Sequence, residues 1–268
     1  MAGDLTISTI NGGAIGAKNA LINGNFGINQ RAVSGTVTLS AGAYGHDRFK
    51  AGASGCTYTF ATSNNITTLT ITAGSLIQVI EGINLQSGTY TLSWTGTAQG
   101  KIGGGSYAGS GVTETVTGGT NLNIEFDTGT LSLVQLEAGS VATPFEHRQY
   151  GQELALCQRY YYQQTYDATN QPISSSAYWS TSTNIEWLFL YPVPMRATPS
   201  ISFTTIGGLF ALESQTAWRQ LSSVSVNEIG SSSVKFSGTA ATNTNYATRQ
   251  PSAVGLRATG SINYSAEL

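Results

Sequence analysis

Hydrophobic and polar residues alternate along most of this chain, in short segments that end at glycine, asparagine or serine. Three clear segments are CTYTFAT, NITTLTITA and TNLNIEFD, which are rich in β-branched and aromatic residues. A period of two places alternate side chains on opposite faces of a strand. The pattern therefore predicts an all-β protein, with threonine facing solvent and valine, isoleucine, leucine, phenylalanine and tyrosine facing the core.

Residues 20–147 contain about eight or more such segments, spaced by roughly 8–12 residues, as in a two-sheet β-sandwich. Turns are predicted at Asn23-Gly24, a dipeptide suited to positive φ, and at Gly42. The segment SLIQVIEGINL fits neither the strand nor the helix period well, and its neighbours favour a strand. We expect this region to form a β-sandwich, with the jelly roll as the leading topology.

Residues 165–268 show the same alternation with hairpin-like spacing and a different aromatic content. Pro192, Pro194 and Pro199 are expected at sheet edges or strand starts, because proline cannot donate a backbone hydrogen bond. This pattern predicts a second, smaller β-sandwich of about six to eight strands. A chain of 268 residues predicts roughly two domains, since about 150 residues per domain is typical.

One segment between these regions, residues 148–164, predicts a short α-helix that joins the two sandwiches. Pro144 prevents the helix from extending backwards, and strong helix formers follow from Glu153 onwards. Leu154, Cys157 and Tyr161 are spaced i, i+3 and i+7, which predicts one apolar stripe. A helix of about three turns is marginal alone, so we expect it to pack on the sandwiches or on copies of itself around a symmetry axis.

Charged residues make up only 10% of the chain, with a formal net charge of −2, compared with about 25% charged residues in an average soluble domain. No cluster of lysine or arginine is present, so we expect no nucleic-acid partner. No apolar run reaches the roughly 18 residues of a membrane span, so we expect no membrane insertion. Without a secretory signal, synthesis in the cytoplasm is expected, and the short, glycine-rich segment 1–19 is interpreted as an attachment arm.

The scarce charges concentrate around the predicted helix, which favours salt bridges within a joint or between subunits over a catalytic set. The candidates for subunit contacts are Glu146, Arg148, Glu153, Leu154, Cys157, Arg159 and Tyr161.

Signatures of catalysis are missing from the sequence, so we expect a protein that is not an enzyme and has no catalytic residues, metal or cofactor. His46 and His147 stand alone, Cys56 and Cys157 are expected to be free thiols, and no HExxH, GxSxG or P-loop pattern occurs. We interpret Asp47 and Arg48 as a structural pair. The two carboxylates that hydrolyse a glycan need not be close in sequence. Candidates for such a pair, none of them marked by a local motif, are Glu125, Asp127, Asp167, Glu186 and Glu213.

The central segment VQLEAGSVATPFEHR, followed by ELALCQRYY, resembles a block found in tail-fibre and tail (receptor-binding) proteins of tailed bacteriophages and prophages. The matching residues are Gln135, Leu136, Glu137, Gly139, Ala142, Thr143, Phe145, Glu146, Arg148, Glu153, Leu154, Cys157, Arg159, Tyr160 and Tyr161. The opening LINGNFGINQRAVSG and AYGHDRF is similar to the start of the same family, through Asn23, Phe26, Ile28, Gln30, Arg31, Tyr44, Asp47 and Arg48. Phe49 stands where that family usually has tryptophan, and most of the second region is unmatched.

This resemblance implies a virion structural protein, a homotrimeric tail-fibre or receptor-binding subunit whose jelly roll is similar to carbohydrate-binding modules. The arm would attach to phage tail or baseplate proteins, and the helix would lie on the three-fold axis. A capsid or tail decoration protein without receptor activity and a host-glycan depolymerase remain alternatives.

A separate physical reason favours a host cell-surface glycan as partner. Weakly charged surfaces with exposed aromatic rings suit sugars, because ring faces pack on sugar C–H groups while asparagine, serine, threonine and tyrosine supply hydrogen bonds. Trp94 is expected in the core, as are Trp187, Phe189 and Tyr191, which share one strand face. The glycan-binding candidates are Tyr178, Trp179, Trp218 and Tyr246.

Overall fold

The computed structural model describes residues 9–10, 13–14, 18–166, 171–212, 218–243, 251–256 and 260–268. The chain divides into two compact units, which we call unit 1 (Met1–Cys157 with Leu268) and unit 2 (Gln158–Glu267). Almost all regular structure in both units is antiparallel β-sheet, and the described residues contain one α-helix. The predicted all-β fold with a single short helix is confirmed.

Unit 1 is built from ten strands in the described residues, followed by the helix. They are β1 Thr9–Ile10, β2 Gly13–Ala14, β3 Val37–Leu39, β4 Phe49–Ser63, β5 Ile66–Ile80, β6 Gly88–Thr95, β7 Gly100–Ile102, β8 Val112–Val116, β9 Leu122–Phe126, β10 Gly129–Ala138 and α1 Tyr150–Gln158. The ambiguous segment SLIQVIEGINL continues β5 as far as Ile80 and then makes a 3-10 turn at Gly82–Asn84, so the strand prediction is confirmed for the first part of the segment only.

Strand β10 joins the two sheets of unit 1. In one sheet β3, β4, β5, β9 and β7 pair in that order, and in the other β10, β6 and β8 pair. Residues 129–131 of β10 pair with β5, whereas 132–138 pair with β6. The register shifts between Ser132 and Gln135, where Leu133 has a φ of 51°. Such an irregularity lets one strand turn the corner from one sheet to the next.

The inner faces of the two sheets form one hydrophobic core, as the alternation of residues predicts. Trp94 of β6 meets Phe126 of β9 edge-on, with ring centroids 5.2 Å apart. The indole nitrogen of Trp94 donates to the Ala98 carbonyl at 3.0 Å, so this buried polar group is satisfied. The predicted core position of Trp94 is confirmed.

The turn at Asn23-Gly24 needs both of its residues, for different reasons. Asn23 has a φ of 61°, and its side-chain amide bonds the backbone of Ile28 and the carbonyl of Asp47. Gly24 lies so close to β10 that a Cβ atom there would be 2.1 Å from the carbonyl oxygen of Val134. The predicted turn is confirmed. It can approach β10 this closely only because Gly24 has no side chain.

Unit 2 contains a closed barrel of six strands and a separate sheet of three. Its strands are β11 Tyr161–Tyr166, β12 Gln171–Trp179, β13 Asn184–Leu190, β14 Ser200–Phe203, β15 Leu209–Leu212, β16 Trp218–Ile229, β17 Ser233–Ala240, β18 Pro251–Leu256 and β19 Gly260–Ser265. The barrel order is β12, β13, β17, β16, β15 and β18, closed by pairing of β18 with β12, while β11, β19 and β14 form the second sheet.

The barrel interior is filled by large side chains. Trp187 stacks on Phe236 with centroids 5.2 Å apart, and a Cβ atom on Gly238 would lie 3.1 Å from the Trp187 ring. The expectation that Trp187, Phe189 and Tyr191 belong to the core is confirmed for Trp187 and Tyr191, while Phe189 is half-buried and stacks on Tyr264 at 5.3 Å. We expected a smaller β-sandwich in this region, whereas six of the strands in the described residues close into a barrel.

Helix α1 is shorter than the predicted apolar stripe. It ends at Gln158, and Tyr161 already belongs to β11. The helix residues that are buried are Glu153 and Cys157, spaced i and i+4, while Leu154 is half-buried. The predicted stripe of Leu154, Cys157 and Tyr161 is therefore wrong. The helix ends before Tyr161, so this residue cannot share a helical face with the other two.

Unit 1 also buries a histidine side chain. His46 is 1% exposed, its Nδ1 lies 3.0 Å from the Tyr58 hydroxyl, and its ring packs edge-on against Phe60. This burial lowers the pKa of His46 from 6.5 to about 4. The imidazole therefore stays neutral in the folded protein under conditions in which an unfolded chain would protonate it.

We predict that unit 1 loses stability as the pH falls from about 6.5 to about 4 because of this histidine. In that interval the unfolded chain binds a proton at His46 that the folded chain does not, so the free energy of unfolding falls by up to about 3 kcal/mol. Urea unfolding from about pH 7 to about pH 4.5 measures the slope. His46→Gln should flatten it, and His147→Gln, at an exposed position, should leave it unchanged. An equal slope in the wild-type protein and His46→Gln would contradict the assignment.

Candidate functional site

The side chain of Arg148 is the centre of a polar network in unit 1. It is only 6% exposed. Its Nη1 donates to the carbonyl of Leu21 at 2.9 Å and lies 3.2 Å from the Glu153 carboxylate. Its Nη2 donates to the carbonyl of Asn19 and lies 3.5 Å from Glu146. One guanidinium group thus connects the segment before β3, the connection after β10 and the first turn of α1.

The two carboxylates beside Arg148 also accept backbone hydrogen bonds. Glu146 Oε2 accepts from the amide of Asn19 at 2.8 Å and from that of Lys18 at 3.1 Å. Glu153 Oε1 accepts from the amide of Asn23 at 2.6 Å. Each carboxylate therefore interacts with the Arg148 guanidinium and with backbone amides of residues 18–23. Charged groups with little solvent exposure need such partners to offset the loss of hydration.

A second group of side chains connects β10 to the segment that follows it. Glu137 accepts from Gln135 Nε2 at 2.8 Å, from the amide of Thr143 at 2.8 Å and from its hydroxyl at 2.6 Å. Gln135 Oε1 in turn accepts from the amide of Glu146 at 2.8 Å. Asn19 bonds β10 directly, through Val134 at 3.0 Å and Leu136 at 3.1 Å. We call the whole set the Arg148 network: Asn19, Gln135, Glu137, Thr143, Glu146, Arg148 and Glu153.

Most of the residues predicted as subunit contacts have roles within their own unit. Glu146, Arg148 and Glu153 belong to the Arg148 network, and Cys157 is fully buried. In unit 2, the carbonyl of Arg159 accepts from the amide of Arg196 at 2.7 Å, and the hydroxyl of Tyr161 donates to Asn263 at 3.1 Å. A role for these residues between subunits stays a prediction.

The predicted glycan-binding residues do not form one exposed surface. Trp179 is 0% exposed and donates from its indole nitrogen to the Leu212 carbonyl at 3.0 Å, so its predicted exposure was wrong. The reason is the alternation of β12, which turns Ala177 and Trp179 inward. Tyr178 is half-buried, and its hydroxyl donates to Glu186 at 2.5 Å. Trp218 is half-buried in β16, and Tyr246 lies outside the described residues.

Two of the carboxylates singled out for hydrolysis, Glu125 and Glu186, have pKa values below the ordinary value. Partial burial raises the pKa of Glu125, but hydrogen bonds from Ser75, Lys101 and Tyr107 outweigh it and hold the pKa below its ordinary value. Hydrogen bonds from Lys235 and Tyr178 likewise lower the pKa of Glu186. A general acid needs a raised pKa, which neither residue has.

Of the remaining carboxylates, Asp127 accepts from the amide of Gln99 at 2.7 Å, and Asp167 and Glu213 lie outside the described residues. Asp47, which was interpreted as the partner of Arg48, accepts two hydrogen bonds from Gln30, and Arg48 donates to the Val79 carbonyl at 2.8 Å. In the part of the chain that the structure describes, no group of three histidine, cysteine or acidic residues is placed to hold a metal ion.

Two clefts lie beside the Arg148 network. One has a volume of about 570 Å³ and is lined by residues that include Lys18, Tyr90, Glu137 and Gln152. The other, of about 550 Å³, lies beside the first turn of α1, and we call it the α1 cleft. Its lining includes Arg148 and Glu153, which we call its floor, and Asn25, Thr62, Asn65, Thr67, His147 and Tyr150, which we call its walls. Tyr150 is 67% exposed.

Sequence reasoning missed the α1 cleft, although one signal was present. Tyr150 precedes Glu153 and Cys157 at the i, i+3 and i+7 spacing, so it belongs to the face of α1 that enters the sandwich. At the start of the helix the Tyr150 side chain on that face is exposed and lines the cleft.

No family model, curated protein or solved structure matches this chain. Among the described residues, no helix has the length and apolar character to cross a membrane.

We predict that Arg148→Ala lowers the free energy of unfolding of unit 1 by about 3 kcal/mol, because it leaves two carboxylates at low exposure without their cation. Hydrogen exchange should show the loss first at the amides of Lys18, Asn19 and Asn23, which bond those carboxylates. Gln149→Ala, at the exposed neighbouring position, is the matched control. Unchanged protection of these amides in Arg148→Ala would show that the network does not hold this segment.

Proposed function

We propose that this chain is a virion structural protein, a tail-fibre or receptor-binding subunit of a tailed bacteriophage that recognises glycans on the host surface. The observation that carries the proposal is the Arg148 network. Six of its members, from Gln135 to Glu153, are positions through which the chain resembles the phage family. These residues bond one another and the segment 18–23, so the positions that carry the resemblance form one connected network in this protein.

The network also supports a role for segment 1–19 in attachment. Lys18 and Asn19 are fixed through their backbone amides to Glu146, and the Lys18 ammonium group donates to Thr143 and to the carbonyl of Pro144. A segment that precedes these residues therefore starts from a fixed point on unit 1. A tether of this kind can bind a tail or baseplate protein while the sandwich behind it keeps its position.

A surface of low charge suits adhesion to sugars. Only 10% of the residues are charged, so recognition relies on neutral hydrogen-bonding groups and on aromatic rings. Single sites for sugars are weak, and several copies on one particle raise avidity without any new contact. The proposed homotrimer supplies this multiplicity, and the virion is the proposed location.

We predict that the chain in solution has three times the 28.1 kDa mass of a single copy. Light scattering coupled to gel filtration measures this directly, at concentrations spanning a hundredfold dilution. A protein that remains a single copy throughout would contradict the trimer and leave unit 1 and unit 2 as a monomeric adhesin.

We also predict that the intact protein binds glycans from host cell surfaces on an array, and that it releases no new reducing ends from the same polysaccharides. Immunogold labelling of the particle should place the chain on the tail. Release of reducing ends would make it a depolymerase, and labelling of the particle without glycan binding would make it a decoration protein.

A further inference from the structure

We infer that the α1 cleft of unit 1 is the site at which this protein binds a neutral oligosaccharide. The inference rests on the proposed glycan recognition and gives it a place different from the aromatic residues of unit 2. It comes from three properties of the α1 cleft: an exposed aromatic ring, uncommitted hydrogen-bonding groups on the walls, and a floor whose guanidinium group is already engaged by carboxylates and carbonyl groups.

The aromatic ring is that of Tyr150. It is 67% exposed, among the most exposed large hydrophobic side chains of the described residues, and it belongs to the first turn of α1. A ring fixed on a helix offers a large apolar face at low cost in conformational entropy, and the C–H face of a pyranose packs on such a ring. By contrast, Trp179 in unit 2 has no exposed surface.

The walls of the α1 cleft offer donors and acceptors that the protein does not use. Among the described residues, the Asn25 side-chain nitrogen, the Asn65 amide, the His147 imidazole and the Tyr150 hydroxyl make no hydrogen bond to protein. The Asn25 oxygen does accept from the amide of Gly27 at 3.2 Å, and the His147 ring packs edge-on against Phe145 with centroids 4.9 Å apart. These contacts orient both side chains and leave their other polar atoms available to sugar hydroxyl groups.

One part of the walls is a hairpin turn. Asn64 and Asn65 both have positive φ, at 51° and 61°, in the tight connection between β4 and β5. Beside the turn, the hydroxyl oxygens of Thr62 and Thr67 lie 2.9 Å apart in a mutual hydrogen bond. A short loop closed in this way presents the Asn65 amide from a defined position, which reduces the ordering that binding requires.

The floor of the α1 cleft selects for a neutral ligand. The guanidinium of Arg148 is engaged by two carboxylates and two carbonyl groups, so it has no further charge to offer an anion. Glu153, in the first turn of α1, compensates the positive end of the helix dipole. The volume of about 550 Å³ lies in the usual range of about 300–1,000 Å³ for small-molecule sites.

The test is a glycan array that carries neutral di- to tetrasaccharides of hexoses beside sialylated and phosphorylated counterparts, followed by titration calorimetry with the best neutral ligand. Tyr150→Ala should weaken binding of that ligand by about tenfold, because the stacking contact is lost. Tyr150→Phe, which keeps the ring, should retain most of the affinity. Asn65→Gly removes the amide without disturbing a positive φ and should give an intermediate loss.

The controls are Tyr178→Ala and Trp218→Ala in unit 2, which should bind the same ligand as the wild-type protein does. Thermal unfolding of Tyr150→Ala should match that of the wild-type protein, because the side chain is exposed.

Loss of binding in the unit 2 variants with full binding by Tyr150→Ala would overturn the inference and leave glycan recognition intact. Preference for the acidic ligands would overturn the neutral class. A wild-type protein that binds no oligosaccharide would contradict the proposed function itself.

Discussion

Unit 1 depends on compensating the charge of Arg148, whose side chain is almost completely removed from solvent. Removing a cation and two carboxylates from water costs several kcal/mol per ion, and that cost is offset only when all partners are in place together. The partners come from the segment 18–23, from the connection after β10 and from α1. These three segments therefore have to become ordered together. The helix buries only Glu153 and Cys157, so the ion pair of Glu153 contributes more to its position than an apolar surface does.

The same constraint shapes the α1 cleft. Because Arg148 and Glu153 face each other at its floor, the position of Tyr150, three residues before Glu153, is set by the ion pair and not by a flexible loop. The glycine at position 24 has a similar effect on the other side of the network, where it lets the Asn23 turn approach β10. A rigid floor below polar walls is what a weak, neutral ligand requires, because little binding energy is then lost to ordering the protein.

The sequence predicted the local structure well and the connections between distant residues poorly. A period of two is a property of each strand, so the strands, the turn at Asn23 and the core position of Trp94 followed from it. Closure of the β12–β18 barrel depends on pairing between strands far apart in the chain, which no local pattern records. Trp179 was misplaced as an exposed ring, although its parity with Ala177 in β12 turns it inward. Tyr150 was missed because exposure at the end of a helix depends on where the core stops.

The closed barrel of unit 2 has a consequence for the protein at high local concentration. An open sheet exposes a row of unpaired amides and carbonyls along its outer strands, and proteins usually guard such rows with charged side chains. Only 10% of the residues in this chain are charged, so few charged side chains are available to protect its outer strands. Pairing β18 with β12 leaves none of the six barrel strands with an open side. Where many copies are crowded side by side, closure of the barrel prevents these strands from pairing with the sheet of a neighbouring copy. In more highly charged proteins, electrostatic repulsion between edge strands prevents such pairing.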